Sequence, residues 1–246
     1  MDVIRIGVVG DYRDDNETHR ATGAAVGHAA DSRGWATEVT WIATPDVEGA
    51  AAQALAGFHA LWIAPGSPYQ SMQGALDAVT YARTRDLPLL GTCGGFQHMV
   101  IEFARNVAGI PDAQHAETDP AASRLLIDAL ACSLVGKVME VDLVEGSAAH
   151  RAYGTASTSE RYYCRFGLNP AYVEPLIRGG LVVSGTDRDG EVRVVELPSR
   201  RFFVATLFVP QTSSSPGAAH PLVTAYLAAA HQHVAAHPER DPASAS

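Results

Sequence analysis

Short apolar runs alternate with amphipathic stretches through the first half of the chain. Ile4 to Val9 is apolar except at Arg5 and ends at Gly10, which predicts a strand buried on both faces. Thr18 to Ala30 has helical character, with Gly34 placed to end it. Glu38 to Ile42 reads as a second strand, Val47 to Ala56 as an amphipathic helix, and Ala60 to Ala64 as a third strand. Pro65-Gly66-Ser67-Pro68 breaks the pattern before a helix over Met72 to Arg83. Pro88 to Leu90 begins a fourth strand that runs into Cys93, and Phe96 to Val107 reads as a helix. Strands and helices alternating at these lengths predict an α/β fold with a largely parallel central sheet flanked by helices.

The second half changes texture. Leu125 to Ala131 reads as a helix, Lys137 to Leu143 as an alternating strand, and Arg161 to Phe166 as another strand. Ala171 to Ile177 predicts a short helix before Gly179-Gly180. Leu181 to Ser184, Val192 to Glu196 and Phe202 to Leu207 predict additional antiparallel strands, two of them joined by the turn Asp187-Arg188-Asp189-Gly190. Pro221 to Ala236 closes the pattern as a helix. Residues 1–237 read as one domain and 238–246 as a disordered tail, with no internal repeat or interdomain linker.

Composition narrows the functional classes. The 246 residues, nearly half of them apolar, suffice for one full hydrophobic core. A formal charge of -9 with no basic block gives a nucleic-acid role little electrostatic support. The N-terminus enters a strand directly, without the basic region and long apolar stretch of a signal peptide, and no apolar run is long enough to predict a membrane span. Three cysteines, Cys93, Cys132 and Cys164, show neither metal-ligand spacing nor a disulfide framework, so a reducing cytoplasmic setting is expected, with no metal and no cofactor. His231, His233 and His237 cluster in the last helix and read as solvated positions.

The candidate chemistry centres on Gly91-Thr92-Cys93-Gly94-Gly95. A cysteine between the end of an apolar strand and the start of a helix, surrounded by small residues, is the cysteine form of a nucleophile elbow. Glycines permit unusual backbone angles and close approach of a substrate. The helix N-terminus presents N–H donors and a positive dipole end, suited to a thiolate and to a developing oxyanion. A buried structural cysteine is the competing reading.

Gly91 to Gln97 fits the G-x-C-x-G-x-Q motif of class I glutamine amidotransferases, which the chain resembles. The pattern is most like the C-terminal glutaminase domain of CTP synthases. That likeness continues through Val100-Ile101-Glu102-Phe103-Ala104-Arg105-Asn106-Val107, Gly10-Asp11-Tyr12, Pro65-Gly66, Glu160 to Phe166 followed by Asn169, and Val194 to Pro198 followed by Phe202 to Val204. The resemblance implies a flavodoxin-like class I amidotransferase fold and an acyl-enzyme route to amide hydrolysis. Cys93 would attack the carbonyl, and N–H groups near Gly66 and Gly94 would hold the oxyanion. Gln97, Glu117 and Arg165 fall near the family's glutamine-recognition groups; Glu117 suits an ammonium and Arg165 a carboxylate. Without the resemblance, Glu117 reads equally as a solvated loop residue, Arg165 as a strand ion pair, and Gln97 as a group satisfying nearby backbone.

The departures from the family pattern point elsewhere. The family's F-H-P-E segment matches Phe208-Val209-Pro210-Gln211. Val209 cannot exchange a proton and neutral Gln211 cannot stabilise an imidazolium, so the usual triad is absent at these positions and efficient glutamine hydrolysis is not expected. Pro68 removes a donor from the oxyanion loop and Tyr69 is placed to reshape the substrate pocket. His98, His115 and Tyr163 are candidate substitute bases, and Cys164 could take part in redox or covalent chemistry if it approached Cys93. Met1 lies almost directly before the first strand, leaving no room for a nucleotide-binding synthetase domain, so CTP synthesis by this chain alone is not expected. The combined expectation is a cysteine-dependent hydrolase or acyl-transfer enzyme for a small amide, ester or amino-acid-like molecule. The alternatives are a non-catalytic metabolite-binding or regulatory protein and a glutaminase subunit with a relocated base. Expected partners are a small-molecule ligand and, beyond it, a homodimer mate or a separate subunit.

Overall fold

A computed structural model describes residues 3–236; Met1, Asp2, His237 and the segment 238–246 lie outside the described residues. The first half follows the predicted alternation: β1 (Ile4–Val9), α1 (Glu17–Asp31), β2 (Thr37–Ile42), α2 (Thr44–Val47), α3 (Ala51–Ala54), β3 (Ala60–Ile63), α4 (Met72–Arg85), β4 (Leu89–Thr92) and α5 (Gly94–Asn106). There follow β5 (Gln114–His115), β6 (Leu125–Ala129), β7 (Val138–Leu143), α6 (Ala148–Tyr153), β8 (Ser157–Arg161) and β9 (Phe166–Leu168). The chain closes with α7 (Val173–Arg178), β10 (Val182–Thr186), β11 (Val192–Glu196), β12 (Phe203–Thr206) and α8 (Pro221–Ala236).

Nine strands form one mixed sheet in the order β2-β1-β3-β4-β12-β11-β10-β7-β8. The first five run parallel and the remainder antiparallel, so β12 is the seam between the two halves. A doubly wound sheet of this order binds ligands beyond the carboxyl ends of its strands. β3 and β4 are buried at every position, as suits parallel strands covered on both faces. α1 and α8 pack together on one face, α4 and α5 on the other. Trp62 from β3 reaches the α8 side, where its ring meets Tyr226 edge-on at 5.7 Å. The Trp62 indole N–H is satisfied by Thr92 Oγ1 at 3.1 Å, so the strand that leads to Cys93 is locked to its neighbour by side chain as well as by ladder. A second sheet, β5-β6-β9, stands beside α5 and carries the segments that bring Glu117 and Arg165 to the same region.

Several expectations change. Leu125 to Ala131, read as a helix from its Leu and Ala content, is strand β6 over Leu125–Ala129. Antiparallel pairing with β9 (Ile127 opposite Leu168) and parallel pairing with β5 override the propensity. Val47 to Ala56 splits into α2 and α3 because Gly49 turns the chain at φ +69°. Arg161 to Phe166 leaves the nine-stranded sheet after Arg161 and enters the three-stranded sheet at Phe166, and the residues between carry side chains of the candidate site. β5 and α6 had no sequence forecast. His233 is buried, not solvated, and His231 stacks on Trp35 with ring centroids 4.4 Å apart. Among the described residues, no helix is long and apolar enough to cross a membrane.

Candidate active site

Cys93 sits where β4 hands over to α5, with φ 54° and ψ -108°. A non-glycine residue in such a conformation stores backbone strain of roughly 1–3 kcal/mol, which the packing around it must hold. The restraints are visible. The Cys93 N–H donates to Thr206 O on the neighbouring strand at 2.9 Å, and α5 begins at the next residue, so its unpartnered first-turn N–H groups lie beside the thiol. A side chain at Gly95 would run into the Ile63 carbonyl, and a Cβ at Gly94 would lie 2.9 Å from Ser67 N. The elbow and the Pro65-Gly66-Ser67 loop are therefore packed backbone against backbone.

That loop is anchored from behind by a residue with no sequence forecast. His19, on α1 and almost fully buried, receives the Arg13 N–H at Nδ1 (3.0 Å), which leaves Nε2 to donate to Pro65 O (3.0 Å). Burial lowers the pKa of His19, keeping this neutral tautomer. An isolated histidine near a helix start carries no sequence signal for such a role.

A cleft of about 370 Å³ opens over the elbow. Its walls include Gly66, Cys93, Gln97, Glu117, Tyr163, Cys164 and Arg165. Seven residues singled out from sequence thus meet in one cavity. Gln97 is fully engaged by protein: its Oε1 accepts from Ser67 Oγ (3.2 Å) and faces His115 Nε2 (3.0 Å), and its Nε2 donates to Phe166 O (3.0 Å). Glu117 presents one buried carboxylate oxygen that no protein donor reaches among the described residues. Arg165 is exposed at the rim. The Tyr163 hydroxyl crosses to the Glu17 carboxylate, tying one wall of the cleft to α1. The buried Cys164 thiol donates to Leu207 O at 3.1 Å; burial pushes its pKa well up, and the neighbouring Cys93 adds to the effect.

Other expected positions stand back from the cleft. Tyr69 turns away, its hydroxyl on the Ala64 carbonyl and its ring 4.5 Å from that of His98. His98 donates from Nδ1 to Gly94 O at 2.8 Å, and burial lowers its pKa to about 4. The Nδ1 of His115 accepts the Glu117 N–H at 3.0 Å, so its proton lies on Nε2 toward Gln97. Burial lowers the pKa of His115 to about 3. Neither ring lines the cleft, so neither is placed as a base for Cys93. Val209 is completely buried, and Gln211 hangs between Thr22 and Thr92 through hydrogen bonds of 3.3 and 3.4 Å. Both are packed as core.

Comparison with known proteins places this geometry. The family model described as "Glutamine amidotransferase class-I" matches residues 19–229. Among curated relatives, the CTP synthase of Pyrobaculum calidifontis is 36% identical over 238 residues, covering 92% of this chain and 45% of that protein. The CTP synthase of Acidobacterium capsulatum is 35% identical over 250 residues, covering 96% and 45% respectively. The chain therefore spans less than half the length of these relatives. Among solved structures, the glutaminase domain of Trypanosoma brucei CTPS with bound acivicin superposes with a TM-score of 0.85 at 28% identity, covering 93% of this chain and 94% of that one. A match over most of the sequence, the shared fold and an elbow at the end of a central parallel strand agree: this chain belongs to the class-I glutamine amidotransferase family.

Proposed function

We propose that this chain is a cysteine-dependent acyl-transfer or hydrolytic enzyme acting on a small amide, ester or amino-acid-like substrate. The observation that carries the reading is one cleft holding the strained Cys93, the partnerless oxygen of Glu117 and the rim guanidinium of Arg165. A carboxylate oxygen left without a donor suits an ammonium group, and a guanidinium suits a carboxylate, so the cleft is charged for a zwitterion. With those ends held, the Cys93 sulfur attacks a side-chain carbonyl. The C–S bond forms, the bond to nitrogen or oxygen breaks, and the thiol proton leaves with the departing amine or alcohol. Water or a second nucleophile then cleaves the thioester. N–H groups near Gly66 and Gly94 stabilise the negative oxygen in both steps.

Val209 supplies no imidazole for either proton transfer. Acyl-enzyme formation is accordingly slow, and its hydrolysis slower. The test is intact-mass analysis of the reduced protein against a panel of small amino-acid amides and esters, glutamine included, with Cys93→Ala as control. A mass gain that maps to Cys93 and is absent in the variant is the expected result. Acivicin, the ligand of the trypanosomal relative, is a first binding probe. The burial of Val209 and Gln211 as core also favours a second reading, a metabolite-binding protein without turnover. Saturable amino-acid binding, lost in Glu117→Gln, with no adduct and no turnover across the panel would select that reading and reject the enzyme.

A further inference from the structure

We propose that Cys93 and Cys164 form a reversible intramolecular disulfide, making the cleft a dithiol redox site toward small hydroperoxides. Two consecutive carbonyls at the end of β12 hold the pair: Thr206 O receives the Cys93 N–H at 2.9 Å, and Leu207 O receives the Cys164 thiol at 3.1 Å. Both residues line the same cavity, and both thiols are free. Val209 is packed into the core and supplies no proton-accepting side chain, while Cys164 lines the cavity beside Cys93, so a second sulfur is a reactive neighbour of the first. The third thiol, Cys132, is exposed and does not line the cleft. This inference does not depend on the acyl-transfer reading.

The two sulfurs take different parts. Cys93, at the helix N-terminus and the more exposed of the two (7% against 2%), is the attacking group. Its sulfur bonds to one peroxide oxygen as the O–O bond breaks. The thiol proton leaves with the other oxygen as alcohol or water, and Cys93 becomes a sulfenic acid. The Cys164 sulfur then displaces the hydroxyl: an S–S bond forms, the S–O bond breaks, and the Cys164 proton leaves in water. The two thiols together lose two electrons and the peroxide gains them. An external dithiol reverses the change by thiol–disulfide exchange. The oxidised state leaves no free nucleophile in the cleft.

The experiment uses the full chain with Cys132→Ser, which removes the exposed thiol. One equivalent of hydrogen peroxide is added, and thiols are counted after denaturation. The expected result is loss of both remaining thiols, a cross-linked pair of peptides containing Cys93 and Cys164, and full recovery with dithiothreitol. Adding Cys164→Ser, which keeps a donor for Leu207 O, should leave Cys93 as a sulfenic acid that dimedone traps; Cys164→Ala checks this where the serine perturbs folding. Over-oxidation of Cys93 beside an intact Cys164 thiol, or two thiols surviving the peroxide, would overturn the proposal.

Discussion

Acid should unfold this protein through two histidines packed beside Gln97. His98 and His115 are each about 1% exposed, with ring centroids 5.8 Å apart. Burial lowers both below the ordinary 6.5, to about 4 for His98 and about 3 for His115. A group depressed by folding stabilises fully above its unfolded pKa, and that stability is lost as pH falls toward its folded value. At a pH of about 5 the unfolded rings are almost wholly protonated and the folded rings almost wholly neutral. Each pH unit below the ordinary value costs about 1.4 kcal/mol per ring, so each ring removes about 2 kcal/mol by then. The pair removes about 4 kcal/mol, a large share of the roughly 5–15 kcal/mol that holds a domain folded. Urea unfolding at neutral pH and at about pH 5 measures the loss. His98→Phe keeps a ring against Tyr69 and His115 but cannot be protonated, so its loss should be smaller than wild type by about 2 kcal/mol. Other titrating groups contribute alike to both proteins and cancel in the difference. Parallel pH profiles for the two would refute the assignment.

Two further variants probe the elbow and the buried Val209–Gln211 segment. Gly95→Ala places a methyl group against the Ile63 carbonyl and should cost about 1–3 kcal/mol, read as a lower thermal midpoint; an unchanged midpoint would show slack in the contact. Val209→His combined with Gln211→Glu should raise Cys93-dependent ammonia release from glutamine by about 10³-fold, since triad members act together on that scale. No rise, in a protein that remains folded, would mean that these positions do not address the thiol.

The legible part of the fold was the part built from buried parallel strands. Ile4–Val9, Ala60–Ile63 and Leu89–Thr92 are mostly apolar runs bounded by turns, and such runs have few alternatives. Strand β6 was not legible, because its leucines and alanines favour helix and its antiparallel partner β9 lies far along the chain. The site divided in the same manner. Cys93 announces itself through local glycines, and Gln97, Glu117 and Arg165 line the same cleft. Tyr69, His98 and His115 look chemically able in sequence, yet each has a polar atom held by backbone or by Gln97 and none lines the cleft. His19 was invisible for the opposite reason: its role arises only where α1 passes behind Pro65.

The contact between Gly95 and the Ile63 carbonyl divides the cleft into parts with unequal freedom to change. Where main chain meets main chain, no side chain can be introduced without moving the sheet, so the position of the sulfur is fixed by backbone. The opposite wall is made of side chains on Tyr163, Cys164 and Arg165, each replaceable singly. New reactivity introduced into this scaffold by laboratory selection is therefore expected to enter from that wall, with the Cys93 sulfur as the fixed point around which partners are exchanged.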